Sequence, residues 1–378
     1  MLKQKLGLTI KQSLLLTLLL TTSVLTGCQL TNNISRSCPP RCFGLMLVGR
    51  DLSGINLEGA NLNKSSLNRT VLRRANLRNT NLTEANLEGA NLIGADLSHA
   101  TLIGANLKNA LLIGANFSDA DLSGANFHGA TLTGAIFTHA ELQSAIFDRA
   151  RMINLNLQNS HMIGCSFVNT DLRSANLSGA NLSGANFSNA LLWSAQLTQT
   201  NLHGANFNAT EALNTIFDQA DLAGAKLDNG IFDGSSLQNV NLTGASFMNA
   251  SITGANLDGA IMANTKLAGA FLSGTSMNKT DLSGANFVKT IKDAGKETLS
   301  TTMLLGANMN NVKLTNANLG GQSFDGVIIY NTDFRSAILK TSYMLNGITV
   351  EKTIDLSDAL YNQDTLFAEE FLPNNFQK

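Results

Sequence analysis

The sequence predicts an all-β fold, a solenoid of short strands wound into four-sided coils, and three observations carry that reading. From Leu52 to Phe287 every fifth residue is a large apolar side chain, at 47 of 48 consecutive positions, with Ala212 the one exception. Two residues before each of these centres stand 30 Ala, nine Thr and three Ser among the same 48 units. Phe127, Phe147, Phe167, Phe187 and Phe207 fall at centres exactly twenty residues apart in the numbering, and Phe247 and Phe287 continue the series.

A separation of two places the large and the small residue on one side of an extended segment, with the intervening Asn or Asp on the other. The pair faces inward. Gly follows two residues after many centres (Gly59, Gly94, Gly104, Gly124, Gly179, Gly184), where a chain that turns after each short strand needs positive φ. The phenylalanine step of 20 makes four pentapeptides one turn, because a three-unit coil would scatter the rings over different walls. Units of this kind bury their apolar residues only by stacking on copies of themselves. Residues 45–287 therefore read as about 12 coils, and at a strand spacing of roughly 4.8 Å they form a rod on the order of 58 Å long.

After Phe287 the pattern breaks. Residues 288–303 carry Lys289, Lys292, Asp293, Lys296 and Glu297 and read as an insertion loop. The period resumes at Leu304 and runs through Leu339 and Met344, so 304–347 is expected to add about two coils. Residues 348–378, with Leu356, Leu360, Tyr361, Leu366, Phe367, Phe371, Leu372 and Phe376, are expected to cap the apolar end that any such rod exposes.

The runs Ala85 to Gly89, Ala95 to Ala100, Ala120 to Gly124 and Ala175 to Gly184 share the form Ala-(Asn/Asp)-Leu-x-Gly and resemble the pentapeptide-repeat family. That resemblance implies a right-handed quadrilateral β-helix. It says less about activity, since the best understood members imitate DNA with acidic walls and bind type II topoisomerase, while most others have no assigned activity.

The N-terminus has a separate logic. Lys3, Lys5 and Lys11 precede an apolar run from Leu14 to Leu25, and Leu25-Thr26-Gly27-Cys28 follows. A basic head, a short apolar core and a small residue before the cut mark a secretory signal over residues 1–27. The last four residues resemble the lipobox of bacterial lipoproteins, which implies Cys28 as the lipidated first residue of the mature chain. The protein is then exported and faces the periplasm or cell exterior from a membrane. Residues 28–44 form a polar tether containing Cys38-Pro39-Pro40-Arg41-Cys42. In an exported protein this pair can close a disulfide loop, but two prolines stiffen the segment against good geometry, so free or partner-linked thiols stay open beside the bridge.

Without residues 1–27 the chain holds 23 basic and 27 acidic residues, a mild excess. Neither an acidic block fit to imitate DNA nor a basic stripe fit for nucleic acid emerges from the whole-chain balance. His99, His128, His139, His161 and His203 occupy scattered outward positions, with no triad or metal-ligand spacing. Phosphate-cradling and nucleophile-elbow motifs are absent. No cofactor, no metal and no catalytic residue is implied.

One surface stands out. Sorted by the 20-residue phase, the wall centred on Leu52, Leu72 and Leu92 turns outward Val71, Ile93, Leu111, Ile113, Ile153, Leu191, Trp193, Leu213, Ile231 and Phe271, ten of 24 outward positions, against two, three and four on the other walls. Aligned apolar side chains of this kind mark contact surfaces. The expected occupant is a protein partner or a second copy of the chain. The competing reading is that outward aliphatics suit flat strands and that Ala212 marks a bulge turning Leu213 inward.

Overall fold

The computed structural model describes residues 44–293, 296–345 and 348–367. Parallel bridge pairs join residues 20 apart without interruption from Met46 and Ser66 to Lys266 and Asn286. Four pentapeptides thus close one coil, and the next coil lies directly on it.

The unit Asn91 to Ala95 shows why five residues suffice. Asn91 N–H donates to Thr70 O in the preceding coil, while Leu92 and Gly94 donate to Leu111 O and Ile113 O in the following one. Ala95 N–H closes the turn onto Leu92 O. The remaining donor, Ile93 N–H, reaches the Asn91 side-chain Oδ1 at 3.2 Å. All five backbone donors are satisfied, and the outward Asn or Asp is the residue that takes the fifth. The corner residue has positive φ throughout, as in Gly94 (66°), His99 (58°) and Asn109 (55°). With only its third residue left-handed, the turn is of type II.

Inside, the large and the small residues are both buried. Phe127, Phe147, Phe167, Phe187 and Phe207 form one column, with centroid spacings of 4.7, 5.2, 4.8 and 4.8 Å. The spacing follows the strand spacing of the wall that carries them. From the opposite wall Phe117 and Phe137 stack at 4.8 Å and meet Phe127 edge-on at 6.1 Å, the two geometries aromatic pairs prefer. Thr and Ser at the small position are more than Ala substitutes. Thr70 Oγ1 donates to Leu47 O, Ser160 Oγ to Phe137 O and Thr170 Oγ1 to Phe147 O, each one coil below.

Ala212 does not create a bulge. Its N–H pairs with Ile231 O at 2.7 Å like any other centre, and Leu213 stays outward and half-buried. One coil above on the same wall stands Phe232, whose ring lies where a Cβ on Gly230 would come within 2.6 Å of it. Gly230 thus makes room for that ring.

The expected insertion loop is a β-hairpin of β1 (Val288–Asp293) and β2 (Lys296–Thr301), antiparallel, with Val288 opposite Thr301. Bridge partners across it, such as Phe271 and Met303, are 32 residues apart instead of 20. The same jump recurs at Ser323 and Asp355, because a second hairpin, β3 (Lys340–Leu345) and β4 (Ile348–Thr353), leaves from the same corner. This corrects the boundary expected at 347 and 348, and Met344 is a strand residue rather than a repeat centre. Leu339 plus five happens to be an apolar residue, so the sequence keeps an apparent beat through a segment that has left the rod. The C-terminal segment is likewise a resumed coil as far as it is described. Asp355, Leu360 and Leu366 pair with Ser323, Ile328 and Asp333, so Leu360 and Leu366 are outward bridge residues, while Phe367 stacks on Phe334 at 5.5 Å. Phe371, Leu372 and Phe376 lie outside the described residues.

Where the chain leaves for β1, the Phe287 carbonyl has lost its turn partner. Thr302 Oγ1 lies 3.0 Å from it and Gln322 Nε2 donates to it at 3.1 Å. Between the hairpins sits the corner Gly320-Gly321. A Cβ at Gly320 would fall 2.6 Å from Thr341 Cβ, and Gly321, at φ 76°, lies against Lys352.

Candidate functional site

On the Leu52 wall two outward columns run along the rod. The bridge column passes through Val71, Asn91, Leu111, Thr131, Arg151, Asp171, Leu191, Glu211, Ile231, Ser251 and Phe271. The residues just after each centre form its neighbour, with Ile93, Ile113, Ile153, Arg173, Trp193 and Leu213. Leu111, Ile113, Trp193, Ile231 and Phe271 are exposed, at 40, 41, 36, 38 and 43%, while Val71, Ile93, Ile153, Leu191 and Leu213 are half-buried. None of the ten turns inward.

The columns do not form one continuous apolar strip. Ile93, Leu111 and Ile113 group near one end, and Leu191, Trp193, Leu213 and Ile231 at the centre, separated by Thr131, Arg151 and Asp171. A third group, Phe271 with Met303 (50% exposed) and Leu305 (60% exposed), follows. Sequence sorting misses Met303 and Leu305 because the β1–β2 hairpin shifts their phase by twelve residues. Isolated exposed aliphatics also occur on other walls, as at Ile136, Ile163 and Ile261.

The central group is held by charge. Arg173 pairs with Asp171 through two 2.8 Å hydrogen bonds, Nε to Oδ1 and one terminal nitrogen to Oδ2. Its guanidinium carbon lies 5.5 Å from the Trp193 ring centroid, within cation–π range. Trp193 Nε1 donates to Glu211 Oε2 at 3.1 Å. Burial alone would raise the Asp171 carboxyl, but the hydrogen bonds and charge of Arg173 outweigh it and hold it below the ordinary carboxylate value. The indole is therefore a fixed element, anchored on one side by Arg173 and at its nitrogen by Glu211.

Four histidines have acidic neighbours that the sequence reading did not register. His99 and His139 approach Asp119 at 3.9 and 3.8 Å, His161 approaches Glu141 at 3.2 Å, and His203 approaches Asp221 at 4.0 Å. The signal was a separation of 18 or 20, which in this fold means adjacency. Among the described residues no group of three or more His, Cys, Asp or Glu is placed to hold a metal ion. Cys165 is buried at a small inward position, its thiol donating to Leu142 O and pushed up to about 12 by burial. Cys28, Cys38 and Cys42 lie outside the described residues. Among the described residues no helix is long and apolar enough to cross a membrane.

A coil of four pentapeptides with paired large and small inward residues defines a class, and the comparisons with known proteins name it. The family described as Pentapeptide repeats (8 copies) matches residues 51–89, 90–129, 115–154, 125–162, 150–189, 194–234, 232–264, 255–291 and 304–340. The chain belongs to this family, whose proteins fold as right-handed quadrilateral β-helices and are generally non-enzymatic. Among solved structures it is similar to HetL, a pentapeptide repeat protein involved in heterocyst differentiation regulation from the cyanobacterium Nostoc sp. Strain PCC 7120, at 26% identity over 72% of this chain and 85% of that one, with a TM-score of 0.20. QnrB1, a plasmid-mediated fluoroquinolone resistance protein, is similar at 20% identity over 62% of this chain and 92% of its own, with a TM-score of 0.21. A pentapeptide repeat protein from the Arabidopsis thaliana thylakoid lumen shows 28% identity over 39% and 68%, with a TM-score of 0.15. No curated protein matches the chain.

Proposed function

We propose that this protein is a non-enzymatic, lipid-anchored rod at the non-cytoplasmic face of a bacterial membrane, presenting the Leu52 wall to a protein partner. The observation that carries the binding role is the central group of that wall. Leu191, Trp193, Leu213 and Ile231 stand together on the outside of a coil whose interior is filled, and Trp is the residue type that most often dominates a contact surface. Filled coils offer no enclosed cavity in which a substrate would be desolvated, which favours recognition by surface over chemistry.

The anchoring role is carried by the sequence around Cys28. Stable attachment takes more than one acyl chain, which the diacylglyceryl group of bacterial lipoproteins supplies. Fractionation of cells expressing the wild-type chain and Cys28→Ser tests it. Loss of the variant from the membrane fraction, together with loss of lipid label, is the expected result; normal maturation and membrane partitioning of Cys28→Ser would overturn it.

A further inference from the structure

The net charge of the chain conceals a strong polarity along the rod. Residues 44–80 hold six basic side chains against two acidic ones, whereas residues 81–287 hold seven basic against fifteen acidic. The largest basic excess thus lies in the first two coils, at the end nearest Cys28.

Position and pairing sharpen the pattern. Lys64 and Arg78 are answered by Glu84 and Asp96, at 3.5 and 3.3 Å. Arg50, Arg69, Arg73 and Arg74 are exposed, and none is in an ion pair among the described residues. All four frame the beginning of the Leu52 wall. Arg50 precedes it in the first coil, Arg69 and Arg74 occupy its two corners in the second, and Arg73 lies on its face. The corner arginines are supported by small residues in the next coil, since a Cβ on Gly89 or Gly94 would lie 3.6 or 3.5 Å from the Cγ of Arg69 or Arg74. Arg73 and Arg74 with Ser53 and Gly54 border an open indentation of about 370 Å³. In later coils the corners equivalent to Arg69 and Arg74 hold mostly Gly and Asn, with Arg149 the one basic residue among them up to Gly274, and the position equivalent to Arg50 holds mostly Ala.

We propose that this arginine collar docks on an anionic phospholipid surface and fixes the rod with its N-terminal end toward the bilayer. The nearness of that bilayer rests on the lipoprotein reading above; the charge separation stands by itself. Fifteen residues lie between Cys28 and Gly44, and at full extension they span at most about 50 Å, which alone would leave the rod free to lie in any direction. Two coils rise roughly 10 Å, close to the Debye length of about 8 Å at physiological salt, so the collar acts on a surface as one charged unit. Taken together, the coils of residues 81–287 are net acidic, and the same surface repels them as a body. An upright rod follows, with the apolar wall accessible along its length.

The test uses the chain from residue 28 onward with Cys28→Ser, which keeps every described residue and carries no acyl group, so it reports the collar alone. Binding is measured by sedimentation with vesicles of mixed phosphatidylglycerol and phosphatidylcholine, against vesicles of phosphatidylcholine alone. The expected result is binding to the anionic vesicles only, lost at high salt, and weakened roughly fivefold for each of Arg50, Arg69, Arg73 and Arg74 changed to Gln. Arg149→Gln with Arg151→Gln, in a distant coil, serves as the control and leaves binding unchanged. Equal or absent binding to both vesicle types, or a fourfold variant that binds like its parent while keeping its unfolding midpoint, would overturn the proposal. Fractionation of Cys28→Ser cells judges the anchor separately, so either reading can fail without the other.

Discussion

Trp193 Nε1 donates to Glu211 Oε2 across one coil step, at 3.1 Å, while Glu211 itself stands in the bridge column between Leu191 and Ile231. The most prominent ring of the outward surface is therefore oriented by a charge that also interrupts the apolar column. A partner that covers this group must leave that carboxylate hydrated or supply it with a donor, because burying it unpaired is costly.

Replacing Leu191 and Trp193 by Asp is expected to abolish capture of the partner from crosslinked membranes while leaving the rod folded, since Leu192 and Leu172 still fill the core beneath. Trp193→Phe keeps most of the apolar area but removes the bond to Glu211, and an intermediate loss is expected. Pull-down yield alongside the thermal unfolding midpoint measures both. Unchanged capture by the double variant would remove this wall from the binding role.

Phe167→Ala removes one ring from the column between Phe147 and Phe187. The cavity cannot collapse without shortening a coil, so a loss of about 3 to 5 kcal/mol is expected. Denaturant unfolding followed by circular dichroism measures it, and a loss under about 1 kcal/mol would contradict the packing described.

A second cap is expected to reveal itself at Asp228. Where the outward bridge residue is Ser, which caps the fifth donor less well than Asn, the Asp one coil below substitutes. Asp228 Oδ1 accepts from Ser246 Oγ at 2.5 Å and from Met248 N–H at 2.9 Å, and Asp148, Asp218, Asp233 and Asp258 do the same for Ser166, Ser236, Ser251 and Ser276. Asp228→Ala strands both donors and is expected to cost about 1 to 3 kcal/mol. Local hydrogen exchange at Met248 should rise in step.

The Asp171 and Arg173 pair sets a pH dependence with a definite sign. The folded carboxyl lies below its ordinary value, so between the two values the unfolded chain binds more protons. The pair's contribution is thus complete above about pH 4 and is lost as pH falls toward the folded value. Asp333 behaves alike, held down first by its hydrogen bond from Arg335. Arg173→Gln is expected to move the Asp171 midpoint upward in a carboxyl NMR titration; an unmoved midpoint would mean that the pair does not form in solution.

Cys165 supplies a report on opening of the core. With its thiol buried and pushed up to about 12, alkylation of the peptide that contains it is expected only after the coil opens, in denaturant or at high temperature. Rapid labelling under native conditions, read by mass spectrometry, would contradict its placement.

The inward half of this structure was legible because the repeat writes it twice, as a large residue and as a small one two positions earlier. The phenylalanine step gave the coil size for the same reason. The outward half was less legible because its logic runs between coils. Ser166 means little until Asp148, eighteen residues earlier, is seen as its neighbour, and His99 and His139 show no motif until twenty is recognised as a contact distance. The second hairpin was hidden for a different cause. Tyr343, Met344 and Leu345 supply apolar side chains near the expected beat, and only the bridge between Ser323 and Asp355 reveals that the chain has stepped outside. Likewise, the wall contacts of Met303 and Leu305 depended on a phase shift that no local pattern announces.

The exit at Phe287 and the re-entry at Thr302 lie side by side, with the Thr302 hydroxyl 2.7 Å from Leu267 O and 3.0 Å from Phe287 O and with Val288 paired to Thr301 just outside, so the coil closes at this corner. Insert length is thereby uncoupled from the register of everything downstream, and the corner works as a graft port. A foreign peptide could replace the β1–β2 segment, held by the same two ends, and be displayed at a chosen height on the rod.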